Sequence, residues 1–137
     1  MKKLNIFFVI LLAVVSFMSC KKEDGDAGLL PNIAFKTGGT YVSADIILTK
    51  DTTITVGIQA SKAEPNDVLK SFNAAKGYDG TTPVGYLNES ITGTAGDSYS
   101  KDLSITTRSQ NGTEKYVFTV LNKDGLKNQV SLTITVQ

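Results

Sequence analysis

The chain has no histidine, no tryptophan, one cysteine and three prolines. Without histidine there is no Ser-His-Asp triad, no Cys-His pair and no histidine-ligated zinc. A lone cysteine, Cys20, cannot close an internal disulfide, so stability has to come from a packed core. Charge of either sign is scarce too: 14 basic residues face 13 acidic ones, for a net of +1. No basic cluster offers a nucleic-acid footprint, and no partner of that class is expected. Long apolar runs are absent apart from one near the N-terminus.

That run is Leu4 to Met18, interrupted only by Asn5 and Ser16 and preceded by Lys2 and Lys3. At about 15 residues it is short for a membrane span of about 20 and suits a signal-peptide core. An ordinary secretory signal would place small residues at −3 and −1 of its cut. Here Phe17 stands at −3, with Ser19 and Cys20 flanking the cut. Phe17-Met18-Ser19-Cys20 resembles a bacterial lipobox, which implies cleavage after residue 19 and lipidation of the Cys20 thiol. Two or more acyl chains anchor a protein stably without a span. Removing Lys2 and Lys3 leaves 12 basic against 13 acidic residues, a formal charge of −1.

Residues 20–28 follow as a polar tether with two glycines and no apolar period. Its acidic members, Glu23, Asp24 and Asp26, resemble the surface-export signal of Bacteroidota lipoproteins. That resemblance implies an outer-membrane anchor with the domain at the cell surface; the periplasmic face is the alternative.

Residues 29–137 read as one all-β domain, long enough to bury a core unaided. Ile33 and Phe35 share a face of a short opening strand. Tyr41 to Leu48 suggests a weaker one. From Thr53 to Ser61, Ile54, Val56, Ile58 and Ala60 alternate with Thr53, Thr55, Gly57, Gln59 and Ser61, the period of a half-buried strand. Residues 68–76 fit a strand, or a nine-residue helix with Val68, Phe72 and Ala75 on one side and Gly77 as its stop. Val84 to Leu87 and Tyr99 to Arg108 supply two more strands. In the latter Tyr99, Leu103 and Ile105 point inward and Lys101 breaks the pattern.

The C-terminal hairpin carries the strongest signal. Tyr116, Phe118 and Val120 share one face, and Val130, Leu132, Ile134 and Val136 alternate with polar residues. Between them Asn122-Lys123-Asp124-Gly125 forms the loop, Gly125 suiting a positive φ. About seven such strands predict an antiparallel two-sheet sandwich. Tyr116 follows the Asn111-Gly112 turn, where a tyrosine corner would lie, and Phe118 stands where antibody domains keep a cysteine. Tyr116 to Val120, Asp124-Gly125-Leu126 and Val130 to Val136 are similar to the end of immunoglobulin-like domains in Bacteroidota surface lipoproteins. The resemblance implies an immunoglobulin-like, cadherin-like fold and no particular activity.

Residues able to carry chemistry are few. Ser98-Tyr99-Ser100-Lys101 has the letters of a Ser-x-x-Lys motif, but on a strand an offset of three points the two side chains to opposite faces. Glu64, Asp67, Glu89, Asp97, Asp102 and Glu114 read as scattered, exposed carboxylates rather than a glycosidase pair. Asp45, Asp79, Asp97, Asn122 and Asp124 lie near loops, as calcium ligands in such folds do, but at no EF-hand spacing. No enzyme activity, metal or cofactor is expected. Tyr78 and Tyr86 flank a glycine-rich loop and are the candidate ligand-binding residues, since loops on a rigid scaffold carry function. Asp51-Thr52-Thr53 resembles an O-glycosylation acceptor of the same bacterial group, with Thr52 as the modified residue; a turn capped by Asp51 is the alternative. The expected function is a non-enzymatic anchored module for a protein or glycan partner, or else a structural spacer without its own ligand.

Overall fold

The computed structural model describes residues 28–137; the stretches read as a signal peptide and a tether, with Cys20, lie outside them. Eight strands form: β1 Asn32–Phe35, β2 Ile46–Leu48, β3 Thr53–Ser61, β4 Leu69–Tyr78, β5 Val84–Ser90, β6 Ser98–Thr106, β7 Gly112–Asn122 and β8 Lys127–Val136. They make two sheets, one ordered β1-β3-β6 and the other β2-β8-β7-β4-β5. All pairings are antiparallel except β2 with β8. Consecutive strands that alternate between sheets in this order give the Greek-key arrangement of an immunoglobulin-like sandwich. The three-stranded sheet stands for strands A, B and E, and the larger one for G, F, C and C′, with β2 added beside G. Strand D has no counterpart: β5 passes to β6 through seven residues holding one 3-10 turn, Gly93–Gly96.

Period-two alternation decides which side chains meet between the sheets. Val56, Ile58, Leu103 and Ile105 come from the smaller sheet. Phe72, Ala74, Phe118, Val120, Leu132 and Ile134 come from the larger. Phe118 fills the place of the inter-sheet disulfide. Its ring stacks on Phe72 with centroids 6.4 Å apart, and Phe35 meets it edge-on at 6.0 Å. Aromatic burial of this kind replaces the missing crosslink.

The pairing corrects one expectation. Tyr41 to Leu48 is not one strand. Tyr41 bridges Thr55 and the Val42 N–H reaches the Thr55 carbonyl at 2.9 Å, whereas Ile46–Leu48 pairs with β8 in the other sheet. The segment crosses between sheets, so its strand character is split. Lys101 interrupts the apolar pattern of β6 without ending the strand. It sits on the inward face in step with Tyr99 and Leu103, where Glu89 of β5 receives its ammonium at 2.5 Å.

Residues 69–78 form a strand with partners on both sides, β7 and β5. The register shifts between Leu69 and Ser71, which brings Leu69 and Phe72 to the same buried side. The buried apolar side chains are therefore Leu69, Phe72 and Ala74, not the Val68, Phe72 and Ala75 of the helical alternative. The β7–β8 loop forms as read, with Gly125 at φ 86°. Asn122 closes it by accepting the Leu126 N–H on its side-chain oxygen at 2.7 Å.

On the outer face of the small sheet, Gly57 is buried although its neighbours Thr55 and Gln59 are not. The Tyr41 ring and the Lys36 stem lie across it, and a Cβ there would come within 2.7 Å of both. Asp102 holds the pair in place, accepting from Lys36 Nζ at 2.6 Å and from the Tyr41 hydroxyl at 3.0 Å. An aromatic ring covering a strand glycine restores the packing that the glycine lacks.

Candidate functional site

The missing strand decides where the chemistry gathers. β5 and β6 are each an edge of their own sheet. Their inward faces meet across the open side of the sandwich. At one level Glu89 of β5 accepts from the Tyr99 hydroxyl at 2.6 Å and from Lys101 at 2.5 Å, both on β6. These two hydrogen bonds, Lys101 first, hold the Glu89 carboxyl below its ordinary pKa. Burial, then Glu89, raises the Tyr99 phenol. Charged side chains aimed inward on two edge strands also guard those edges against a further strand.

Further along, the inward series of β4 runs Phe72, Ala74, Lys76, Tyr78. Lys76 stands opposite Tyr116 of β7 and Val84 of β5. Tyr86 lies where β5 bulges, between Gly85 and Leu87 opposite Ala75 and Ala74. The bulge brings it beside Lys76. The Lys76 ammonium is 5.8 Å from the Tyr78 ring centre and 5.4 Å from that of Tyr86. Tyr78 also receives the Arg108 guanidinium, 5.4 Å from its centre. Tyr78 is half-buried; Tyr86 is 43% exposed and Val84 71%. Burial, then the neighbouring Tyr78, raises the Tyr86 phenol, which keeps its proton.

Arg108 is fixed by its own partners. Its two terminal nitrogens donate to Asp79 at 2.6 and 2.5 Å, and one also reaches the Asn111 carbonyl at 3.0 Å. Asp79 accepts the Thr113 N–H at 2.9 Å as well. The Arg108 hydrogen bond and then the Thr113 amide lower the Asp79 pKa to about 2. Gly112 makes room for this fork. Its φ is 140°, and a Cβ there would overlap an Arg108 nitrogen.

Beneath lies Glu114, wholly buried. It accepts the Arg108 backbone N–H at 2.7 Å and the Tyr116 hydroxyl at 2.8 Å. The tyrosine corner therefore works through a carboxylate: Tyr116 reaches the β6–β7 connection by way of Glu114, not directly. Burial first, then Glu114, raises the Tyr116 phenol. Reading Glu114 and Asp67 as exposed is wrong. β7 begins at Gly112, so Glu114 falls on the same face as Tyr116 and Phe118. Asp67, 3% exposed, accepts from the Asn122 amide.

The remaining candidates are spread apart. Asp45 accepts the Thr133 N–H, Asp97 pairs with Lys62, Asp124 with Lys123, and Asn122 is taken up by its loop and Asp67. Among the described residues no three carboxylates come together at a metal-binding distance. Ser98 is exposed on one face of β6 while Lys101 points inward. Thr52 is half-buried, its hydroxyl 2.8 Å from that of Thr49, next to Asp51 at φ 56°. Open grooves of about 460 Å³ lie beside Asn32, Gln59, Ser61 and Ser98 and beside Ile46, Ile47 and Thr133. Neither includes the tyrosine pair, which lies at the open edge.

No protein-family model matches this sequence, and no curated protein matches it. Similarity appears in solved structures. A superoxide reductase (neelaredoxin) from Ignicoccus hospitalis superposes with a TM-score of 0.52 at 10% identity, over 80% of this chain and 81% of that one. The CARDB domain of a Pyrococcus furiosus protein gives 0.45 at 12% identity, over 77% and 89%. A Niemann-Pick type C2 protein from the Japanese carpenter ant gives 0.45 at 9%, over 66% and 79%. At such identity the first shares the fold of this chain and nothing about its reaction.

Proposed function

We propose that this chain is a lipid-anchored, surface-exposed immunoglobulin-like module of the Bacteroidota lipoprotein type, non-enzymatic, that binds a protein or glycan partner. One observation carries the binding half of this reading. Tyr86 and Val84 stand exposed at the open edge, beside Lys76, which has no carboxylate partner among the described residues. A spacer needs no such strip, and exposed apolar and aromatic surface of this kind marks contact sites. The anchoring half rests on the lipobox-like Phe17-Met18-Ser19-Cys20 and the acidic run after it.

Two measurements test the halves separately. Cys20→Ser should move the protein from the membrane fraction to the soluble one or stall it uncleaved; mass spectrometry of a mature chain with a free thiol would overturn the anchor. Cross-linking on intact cells should capture a partner with the wild-type protein that Tyr86→Ala captures poorly. Equal capture by both would place the contact away from this strip, and capture by neither would favour the spacer.

A further inference from the structure

Three cations line the open side of the sandwich, and they are not equivalent. Lys101 is paired with Glu89 and Arg108 with Asp79. Among the described residues Lys76 has no carboxylate within salt-bridge distance, and its near neighbours are the faces of Tyr78 and Tyr86. Nor does Lys76 guard an edge. It belongs to β4, which has β7 on one side and β5 on the other. An inward-facing lysine on an interior strand would normally be an apolar residue. Here the strand that would cover it is missing, so the ammonium emerges between two tyrosines at the mouth of the inter-sheet space.

Resting on the reading above, we propose that Lys76, Tyr78 and Tyr86 form a binding site for an anionic saccharide, one bearing carboxylate or sulfate groups. Lys76 supplies the charge. The phenol of Tyr86 can donate to the same anion, and neither it nor that of Tyr78 is engaged by another side chain among the described residues. Exposed Tyr86 and Val84 offer a surface on which a sugar ring can lie. A peptide partner fits less well. Strand addition to β5 meets the bulge at Gly85–Leu87, which interrupts the edge it would have to follow.

The test uses the full-length chain in neutral detergent with dextran, dextran sulfate, oligogalacturonate and oligoglutamate as probes, read by calorimetry and by amide NMR shifts. Oligogalacturonate, dextran sulfate or both should bind and dextran should not; the arm that binds tells carboxylate from sulfate. Shifts should centre on residues 76–78 and 84–87. Lys76→Met, which keeps the apolar stem, and Tyr86→Ala, at an exposed ring, should each weaken binding by about five- to tenfold. Salt at about 1 M, where screening reaches about 3 Å, should abolish most of it. Binding of dextran equal to its sulfate, unchanged affinity in Lys76→Met, or shifts centred on the Asn32–Gln59 groove would overturn the site. Oligoglutamate binding as tightly as either saccharide would overturn the ligand class. If no saccharide binds while cross-linking still captures a Tyr86-dependent protein, this inference falls and the broader reading stands.

Discussion

Removing the carboxylate of Glu114 should unfasten the corner that joins the two sheets at β7. Glu114 is wholly buried and is the acceptor for two donors, the Tyr116 hydroxyl and the Arg108 N–H. Glu114→Ala leaves both without a partner. A buried donor so orphaned costs about 1–3 kcal/mol, and the Arg108 amide, nearer the surface, belongs at the low end. The expected loss is about 2–4 kcal/mol, a large part of the ~5–15 kcal/mol that holds a domain folded. Glu114→Gln should be milder, about 1 kcal/mol. Its oxygen can still accept from Arg108, and its amide can donate to the phenol oxygen, which accepts as well as donates. Tyr116→Phe removes one of the two donors while keeping the ring. The Glu114→Ala, Tyr116→Phe double variant should therefore lose less than the sum of the single losses, by about 1 kcal/mol or more. Guanidinium unfolding followed by circular dichroism measures all four; tryptophan fluorescence is no option in this chain. A loss below about 0.5 kcal/mol for Glu114→Ala, or strict additivity in the cycle, would refute the corner as the link.

Two further outcomes follow from the same geometry. Phe118→Ala should cost about 3–5 kcal/mol through lost burial and a cavity beside Phe72 and Phe35, while Thr133→Ala, on the other face of β8, should cost under about 1 kcal/mol; similar melting midpoints would mean the inward face was misassigned. Acid should weaken the Arg108–Asp79 fork with a definite sign. Asp79 has a folded pKa near 2 against an ordinary 3.8, so its contribution is present above about 3.8 and is lost as pH falls toward 2. Asp79→Asn should flatten that part of the stability–pH curve, and an unchanged acid limb would count against the fork.

Much of the architecture was readable before any contact was known. The alternation from Thr53 to Ser61 coincides with β3, and the faces assigned to Phe118, Val120, Leu132 and Ile134 are those the core uses. The candidate site was half readable. Tyr78 and Tyr86 stood out as aromatics beside glycines, and they do converge. Lys76 and Arg108 did not stand out, and Asp79 did so only as a loop carboxylate suited to calcium, though a signal existed: Lys76 and Tyr78 continue the inward series of Phe72 and Ala74. It was masked by the bulge at Leu69–Ser71, which shifts the alternation by one residue. Glu114 was masked by its own charge, because nothing local reveals that Tyr116 and Arg108 will satisfy a carboxylate in the interior.

The sequence by itself determined an all-β chain, the inward face of its regular strands and the C-terminal hairpin. Period-two alternation and turn chemistry are local, so a short window contains all the information they need. Only the tertiary structure decided which sheet each strand joins. Nor could a window show that Tyr41 and Ile46 belong to different sheets, that no strand stands between β5 and β6, or that Lys76 has no carboxylate partner among the described residues. Alternation says that a side chain points inward, not what it meets. Those partners lie tens of residues away in the chain and become neighbours only when two sheets close on each other.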